Sequence, residues 1–386
     1  MIRFLPLIVK NCWRNRRRTV LTLVSIAVSM CLLGVMVAVF HAFYLRDPSP
    51  EEALRLVTRN RISLMMALPY SYAARIQRVP GVREVMISNW FGGTYKDNRD
   101  SRNNFARFAV EPEKLFTIYS ELRVPEDWRR AFERERTACV IGRDLANRFN
   151  WRPGDHITLV GDIYPGQYEL TVRGIFDSPR ASDVLYFDKE YVEQTIPKGR
   201  RAFARMFDIL IDSPKNASRI AEAVDAEFRN ATAQTKTESE QGFVVGFVSL
   251  LGDIKMLLIG VSTAVMFTIL LVSANAMSMS VRERVREVGV LKTLGFTPGD
   301  VLTLVLGEAC AISVAGGTIG FLVSTLLTGG VSKTRAGLFL PPIKPFEPSV
   351  ALACILMAGA IGLVSSLLPA MSASRASIVE ALRSTD

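Results

Sequence analysis

Residues 256–276 read MLLIGVSTAVMFTILLVSANA, 21 positions without a charge, and residues 281–296 then read VRERVREVGVLKTLGF. An uncharged helix of this length crosses a hydrocarbon core of about 30 Å, which needs roughly 20 residues. Working outward, residues 20–40 and 350–370 form two more such runs, and 301–327 a longer one broken by a single acid, Glu308. The buried helix of a soluble protein explains any one of these runs. It does not explain four. The first run follows Arg14, Arg16, Arg17 and Arg18, the basic flank of a cleaved secretion signal. Its apolar core is nevertheless longer than the about 7–15 residues of such a signal, and no A-x-A site follows, so an uncleaved anchor is expected.

The composition fits a chain that is only partly in lipid. Its 386 residues suggest two or three structural units at about 150 residues each. Apolar residues make up 49%, charged residues 22%, and mean hydropathy is +0.22. That excludes disorder, collagen and disulfide scaffolds. The net charge of +10 is not a nucleic-acid face. Residues 43–250 hold 31 of the 47 basic and 29 of the 37 acidic residues, and the remaining basic surplus flanks the apolar runs. Such placement sets membrane topology. Residues 1–19 carry six bases and no acid, which predicts a cytosolic N-terminus. Within them Ile2, Leu5, Ile8, Val9 and Trp13 suggest an interfacial helix on the inner leaflet.

The expected plan is therefore a cytosolic interfacial helix at 1–19, a first span at 20–42, an extracytoplasmic domain at 43–253 and a second span at 254–280. A cytosolic helix at 281–299, a third span at 300–327, an outer loop at 328–349, a fourth span at 350–370 and a cytosolic tail at 371–386 complete it. Lys333, Arg335 and Lys344 in the outer loop oppose the charge rule mildly. The large domain reads as mixed α/β. A helix with Tyr72, Ile76 and Val79 on one face leads into a strand at 85–88, and a strand at 207–211 leads to Asn216, a cap for a helix bearing Ile220, Val224 and Phe228. Between them lie a strand at 139–141, a helix to Phe149, the turn Arg152-Pro153-Gly154-Asp155, and strands at 157–160 and 168–176. This predicts a small α/β domain split by a β-rich insertion at about 111–205. Trp90, Phe91 and Tyr95 beside Gly92-Gly93 read equally as a mobile tip or an ordinary loop.

No catalytic constellation is present. Cys139 is the sole cysteine of residues 43–253, so no disulfide can form within that block, and a buried free thiol is expected. The two histidines, His41 and His156, have no metal-ligand spacing around them. There is no G-x4-G-K-[ST], G-x-S-x-G, H-E-x-x-H or S-x-x-K motif.

The charged stretch after the second run has helical spacing: Val281, Val285, Val288 and Leu291 recur on one face, while Arg282, Glu283, Arg284, Arg286 and Glu287 form a charged one. Glu283 with Arg286, and Arg284 with Glu287, are i,i+3 pairs worth about 0.2–0.5 kcal/mol each. Gly295 suits the helix end, and Thr297-Pro298-Gly299-Asp300 is a start signal for the third span. Physics alone leaves two readings even: a connector, or a lever that takes a push from a cytosolic partner.

Asn275, Met277, Ser280-Val281, Glu283-Arg284, Arg286-Glu287, Gly289, Lys292 and Leu294-Gly295, at their spacing, resemble the signature of the MacB/FtsX-type (type VII) ABC transporter permeases. Glu308-Ala309, Gly316-Gly317 and Gly320 fall where that family's third span carries its Glu and glycines. Pro369-Ala370, Arg375-Ala376 and Val379 to Arg383 resemble its ending, although Ile378 replaces the usual proline. Ile141-Gly142 through Pro153-Gly154-Asp155 to Val172 and Gly174-Ile175 resemble its MacB-like periplasmic core. The resemblance implies four spans with an exported domain of porter and sabre parts between the first two.

It also implies a dimer with a second permease copy or paralogue, working with two ATPase subunits by mechanotransmission. Since no Walker motif is present, ATP and Mg²⁺ belong on a separate ATPase chain and no cofactor on this one. Arg282, Glu283, Arg284, Arg286, Glu287, Gly289, Lys292 and Gly295 become the ATPase-coupling residues. For Glu308 a structural pair with Lys292 or an N-terminal arginine outweighs a transport site. Gly316, Gly317 and Gly320 permit close helix contact in lipid, within or between subunits. Three functions follow from the family: export or efflux with a periplasmic adaptor, lipoprotein extraction, or FtsX-like control of an extracellular hydrolase without transport.

Overall fold

The computed structural model describes residues 16–45, 47–97, 99–178, 182–196, 203–249, 252–333 and 348–375. The interfacial helix expected at 1–19, most of the 328–349 loop and the tail from 376 lie outside them. Two compact units emerge, one built from the apolar helices and one from residues 47–252.

Among the described residues the helical unit holds four helices long and apolar enough to span a bilayer: α1 (Arg16–Phe40), α9 (Ile254–Glu283), α11 (Pro298–Lys333) and α12 (Pro348–Arg375). One π-helical turn, His41–Leu45, extends α1. The helices outrun the expected boundaries of 20–42 and 300–327 because hydropathy marks only the apolar run, whereas caps set the helix end. At α11 the box is reciprocal: Asp300 N donates to Thr297 Oγ1 at 3.2 Å, and Thr297 N to Asp300 Oδ2 at 2.9 Å. Large apolar side chains face outward, such as Leu326 at 76% and Leu368 at 77% exposure. In water that would be an anomaly; in lipid it is the requirement. α11 packs along both α1 and α12. Ile26, Met30 and Leu33 of α1 meet Ile269, Phe321, Cys354 and Ala358 in the interior, and Ser365 Oγ donates to Ser273 Oγ at 2.8 Å across α12 and α9.

The other unit is one nine-stranded sheet in the order β11-β1-β10-β3-β4-β8-β5-β7-β6. Its strands are β1 (Arg55–Asn60), β3 (Val82–Trp90), β4 (Ala106–Val110), β5 (Ala138–Gly142), β6 (His156–Gly161), β7 (Gly166–Phe176), β8 (Val184–Asp188), β10 (Met206–Ile211) and β11 (Thr235–Ser239). A two-stranded ribbon joins β2 (Leu68–Pro69) to β9 (Phe203–Ala204). The helices of this unit are α2 (Ser71–Ile76), α3 (Pro112–Ile118), α4 (Glu126–Arg134), α5 (Arg143–Phe149), α6 (Lys189–Thr195), α7 (Ala217–Glu227) and α8 (Glu240–Ser249). Tyr72 and Ile76 of α2 and Ile220 and Val224 of α7 are buried with Phe228, whose ring stacks on Tyr72 at 4.0 Å. Asn216 precedes α7, but its side-chain oxygen accepts no N–H of the helix, and its Nδ2 donates to Asp212 Oδ1 at 3.0 Å.

The segment read as an insertion does not form a separate body. Its strands β5 to β8 continue the same sheet through β4, which pairs with β8 on one side and β3 on the other. Phe91 and Tyr95 are core, so the segment after β3 is an ordinary, packed loop and not a mobile tip. Phe91 is fully buried with its ring edge-on to Tyr168 and Phe187, and Tyr95 packs edge-on to Trp151. Backbone bonds between Thr94 and Val160 stitch the segment to β6. Gly93, at φ +79, makes this possible, since a Cβ there would lie 2.5 Å from Val160 O. Cys139 is completely buried, and desolvation pushes its thiol well above the usual range.

Candidate functional site: the turn after α9 and its anchors

The charged stretch forms two helices and not one. α9 ends at Glu283, Arg284 leaves helical geometry at φ −113 and ψ 12, and α10 (Val285–Thr293) starts again behind it. The cause lies in Arg284. Its side chain turns into the bundle, where Nη1 donates to Glu308 Oε2 at 2.7 Å. Both residues are buried, at 9% and 4% exposure. An ionised carboxylate among apolar helices is costly unless paired, and a guanidinium is the strongest partner available.

Two further contacts fix α10. Val288 packs with Val301 at the start of α11 and Ala373 near the end of α12. Lys292 Nζ donates to Ser374 O at 2.8 Å, a cation at the carbonyl-rich end of α12. Gly289 is buried beneath the helix. Gly295, at φ +94, then reverses the chain, with its N–H on Lys292 O and that of Phe296 on Leu291 O, a left-handed helix stop. α10 is thereby held by α11 and α12 together.

The remaining residues of the motif face outward. Arg282, Glu283 and Arg286 are exposed, as are Val290 and Leu294, the latter at 72%, and Glu287 is half-buried. The structure thus divides the sequence-derived set: Arg282, Glu283 and Arg286 form an outer surface, whereas Arg284, Gly289 and Lys292 attach it to the bundle. The sequence reading placed Arg284 on the charged face and matched Glu308 with Lys292 or an N-terminal arginine. The distances pair Glu308 with Arg284 and send Lys292 to α12.

The glycines of α11 pack inside the chain. A Cβ on Gly316 would lie 2.8 Å from Ile26, one on Gly317 2.4 Å from the Cβ of Ala358, and one on Gly320 2.5 Å from Ala27 O. The close approach they permit joins α11 to α1 and α12 of the same subunit. A cavity of about 20 Å³ lies beside Glu308, lined also by Thr19, Thr22, Ser273, Ser280 and Ser313. That volume is on the scale of one water molecule and far below that of a solute.

Residues 19–227 match the MacB-like periplasmic core domain family, and residues 259–378 match the FtsX-like permease C-terminal family. An uncharacterized ABC transporter permease of Methanocaldococcus jannaschii is 22% identical over 97% of this chain and 96% of its own length. A macrolide export ATP-binding/permease protein MacB of Nitrobacter winogradskyi is 30% identical over 40% of this chain and 22% of its own. The uncharacterized permease YknZ of Bacillus subtilis is 34% identical over 28% and 26% respectively. The matched stretch thus spans only about a quarter or less of the latter two proteins. Among solved structures, the periplasmic region of MacB from Actinobacillus actinomycetemcomitans aligns with 51% of this chain and 92% of its own, at 12% identity and a TM-score of 0.37.

Proposed function

The chain belongs to the ABC transporter permeases of MacB/FtsX type, a multi-pass membrane family, and from that premise we propose that it couples a separate ATPase to movements of its α/β domain. The observation that supports this reading is the seating of α10: a short helix with an exposed charged face, fastened at Arg284, Val288 and Lys292 to two spans at once. A push on that face reaches α11 and α12 without being absorbed by a flexible loop. ATP and Mg²⁺ reside on the ATPase, which binds in two copies to a pair of permease chains. The work is export or efflux, with a periplasmic adaptor as a further partner.

In this reading the chain lies in the inner membrane with α10 and both termini in the cytosol, as the arginines at 14–18 favour. A thiol at Asp127, exposed on α4, is then expected to react with impermeant maleimide in intact spheroplasts, and one at Thr293 to be protected. The reverse pattern sinks the topology.

The coupling test uses the outer residues only. Arg282→Glu with Arg286→Glu reverses the exposed face while Arg284, Val288 and Lys292 keep their contacts. Loss of a paired interfacial charge costs about 2–5 kcal/mol. The expected result is a normally inserted, thermally stable permease whose affinity for its ATPase falls at least about tenfold, or which binds without coupled hydrolysis. Unchanged binding together with unchanged coupled hydrolysis would make α10 a connector.

A further inference from the structure

The buried cluster where the two chain ends of the α/β domain meet has more negative than positive groups. Arg55, the first residue of β1, is 3% exposed. Its Nε donates to Glu240 Oε2 at 2.7 Å and its Nη1 to Glu121 Oε2 at 2.8 Å. Its guanidinium also lies 4.6 Å over the Tyr119 ring. Tyr119 in turn donates its hydroxyl to Asp208 Oδ2 at 3.2 Å. Asp208, on β10 between Val57 of β1 and Met86 of β3, is 4% exposed. Three carboxyls thus share one guanidinium, and Arg55 bonds to two of them.

The groups facing Asp208 are the Tyr119 and Ser88 hydroxyls, the Glu240 carboxylate and the Arg55 guanidinium, with the buried Tyr186 beside them and Glu52 and Glu121 around Glu240. Like charges brought together out of water do not all ionise. Burial first, and the Glu240 carboxylate second, push the Asp208 carboxyl up to about 7.

What the cluster joins gives it a consequence. β1 carries the chain in from the first span, and Glu240 opens α8, through which the chain returns toward the second. β1 and β11 run antiparallel, Leu56 opposite Ser239, so the Arg55–Glu240 bridge closes the pair immediately beyond the last ladder position. We propose that the proton on Asp208 governs this bridge: with the carboxyl neutral the cluster is closed, and with it ionised a third negative charge, the one that is fully buried, draws on Arg55 and loosens α8. The root of the domain then responds to the pH of the compartment it faces. This is independent of any role for α10.

The Asp208 carboxyl is raised above its ordinary value in the folded chain, so the folded state holds its proton more tightly than the unfolded state does. The associated stability is present in full below the ordinary carboxylate range and is lost as pH rises through about 7.

The test uses the full chain in nanodiscs. Hydrogen exchange of the α8 amides, corrected for the intrinsic pH dependence of exchange, is expected to speed up by up to about tenfold from pH 6 to pH 8, one decade corresponding to about 1.4 kcal/mol. Infrared spectra should show a carboxylic C=O band lost over the same interval. Asp208→Asn should remove both changes. Tyr119→Phe keeps the ring against Arg55 but removes the hydroxyl that favours the ionised form, and should move the transition to higher pH. Glu240→Gln removes the like charge and should move the infrared transition to lower pH. A merely structural cluster predicts no such opposed shifts. The proposal is overturned if α8 exchange is independent of pH, if Asp208→Asn leaves the response intact, or if the two shifts fail to oppose.

Discussion

Glu308→Ala is expected to destabilise the permease by about 3–5 kcal/mol, the usual cost of stranding one member of a buried ion pair. Arg284 would be left at 9% exposure with its bond to Oε2 gone. A guanidinium keeps its charge, so the weakened compensation favours opening of the helix end toward water. Because Arg284 forms the break between α9 and α10, the disturbance should be local at first: faster exchange in α10 and a thiol at Gly289 becoming reactive. Replacing the pair by apolar side chains of similar size, Arg284→Met with Glu308→Leu, removes both the charge and its cost, and such replacements are often neutral or stabilising. That double variant should therefore recover the thermal midpoint in detergent. On the proposed role of α10 it should not recover coupling to the ATPase, because nothing then fixes the direction in which α10 leaves α9. A double-mutant cycle measures both parts. A Glu308→Ala chain as stable as the native one would show that the pair is incidental.

Four spans, the large domain between the first two and five of its eleven described strands were legible because they depend on one-dimensional signals: run length, period and turn residues. The pairing of Arg284 was legible in principle. Ser280, Arg284 and Val288 follow at i, i+4, i+8, so Arg284 lies on the buried stripe of the helix and not on its charged face. A base on a buried stripe needs an acid, and Glu308 is the single acid inside the third run. Counting charges around residues 281–287 obscured this, because five charged residues in seven look like one solvated surface. The continuity of the sheet was not legible. Whether the β3–β4 edge accepts a further four strands depends on the partner of β4, and β8 lies some 75 residues downstream, beyond what any local pattern encodes. The aromatics at 90–95 left tip and loop open for a related reason, since glycines between aromatics signal freedom until a neighbouring strand removes it.

Gly317→Leu and Gly320→Leu are expected to prevent the bundle from closing. The obstruction at Gly320 is backbone: the added Cβ meets Ala27 O at 2.5 Å and the amide of Cys31 at 2.9 Å, and no rotamer change moves either atom. At Gly317 it meets the Cβ of Ala358 at 2.4 Å, again an atom fixed to its helix. Overpacking a well-fitted interior ordinarily costs about 1–3 kcal/mol. Here α11 is wedged between α1 and α12, so separation on one side cannot be absorbed by the other, and the leucine variants should fall beyond that range and fail to accumulate in the membrane. Gly260 on α9 has nothing within 4 Å of an added Cβ, and Gly260→Ala should be tolerated. The decisive variant is a transfer of one methyl across the contact. Gly317→Ala alone should lower the thermal midpoint, and adding Ala358→Gly should restore much of it, since the combined volume at the crossing is unchanged. If instead the single variants leave the monomer fully stable and abolish only association between subunits, the glycines mark a surface between chains, and the intramolecular packing described for α11 is wrong.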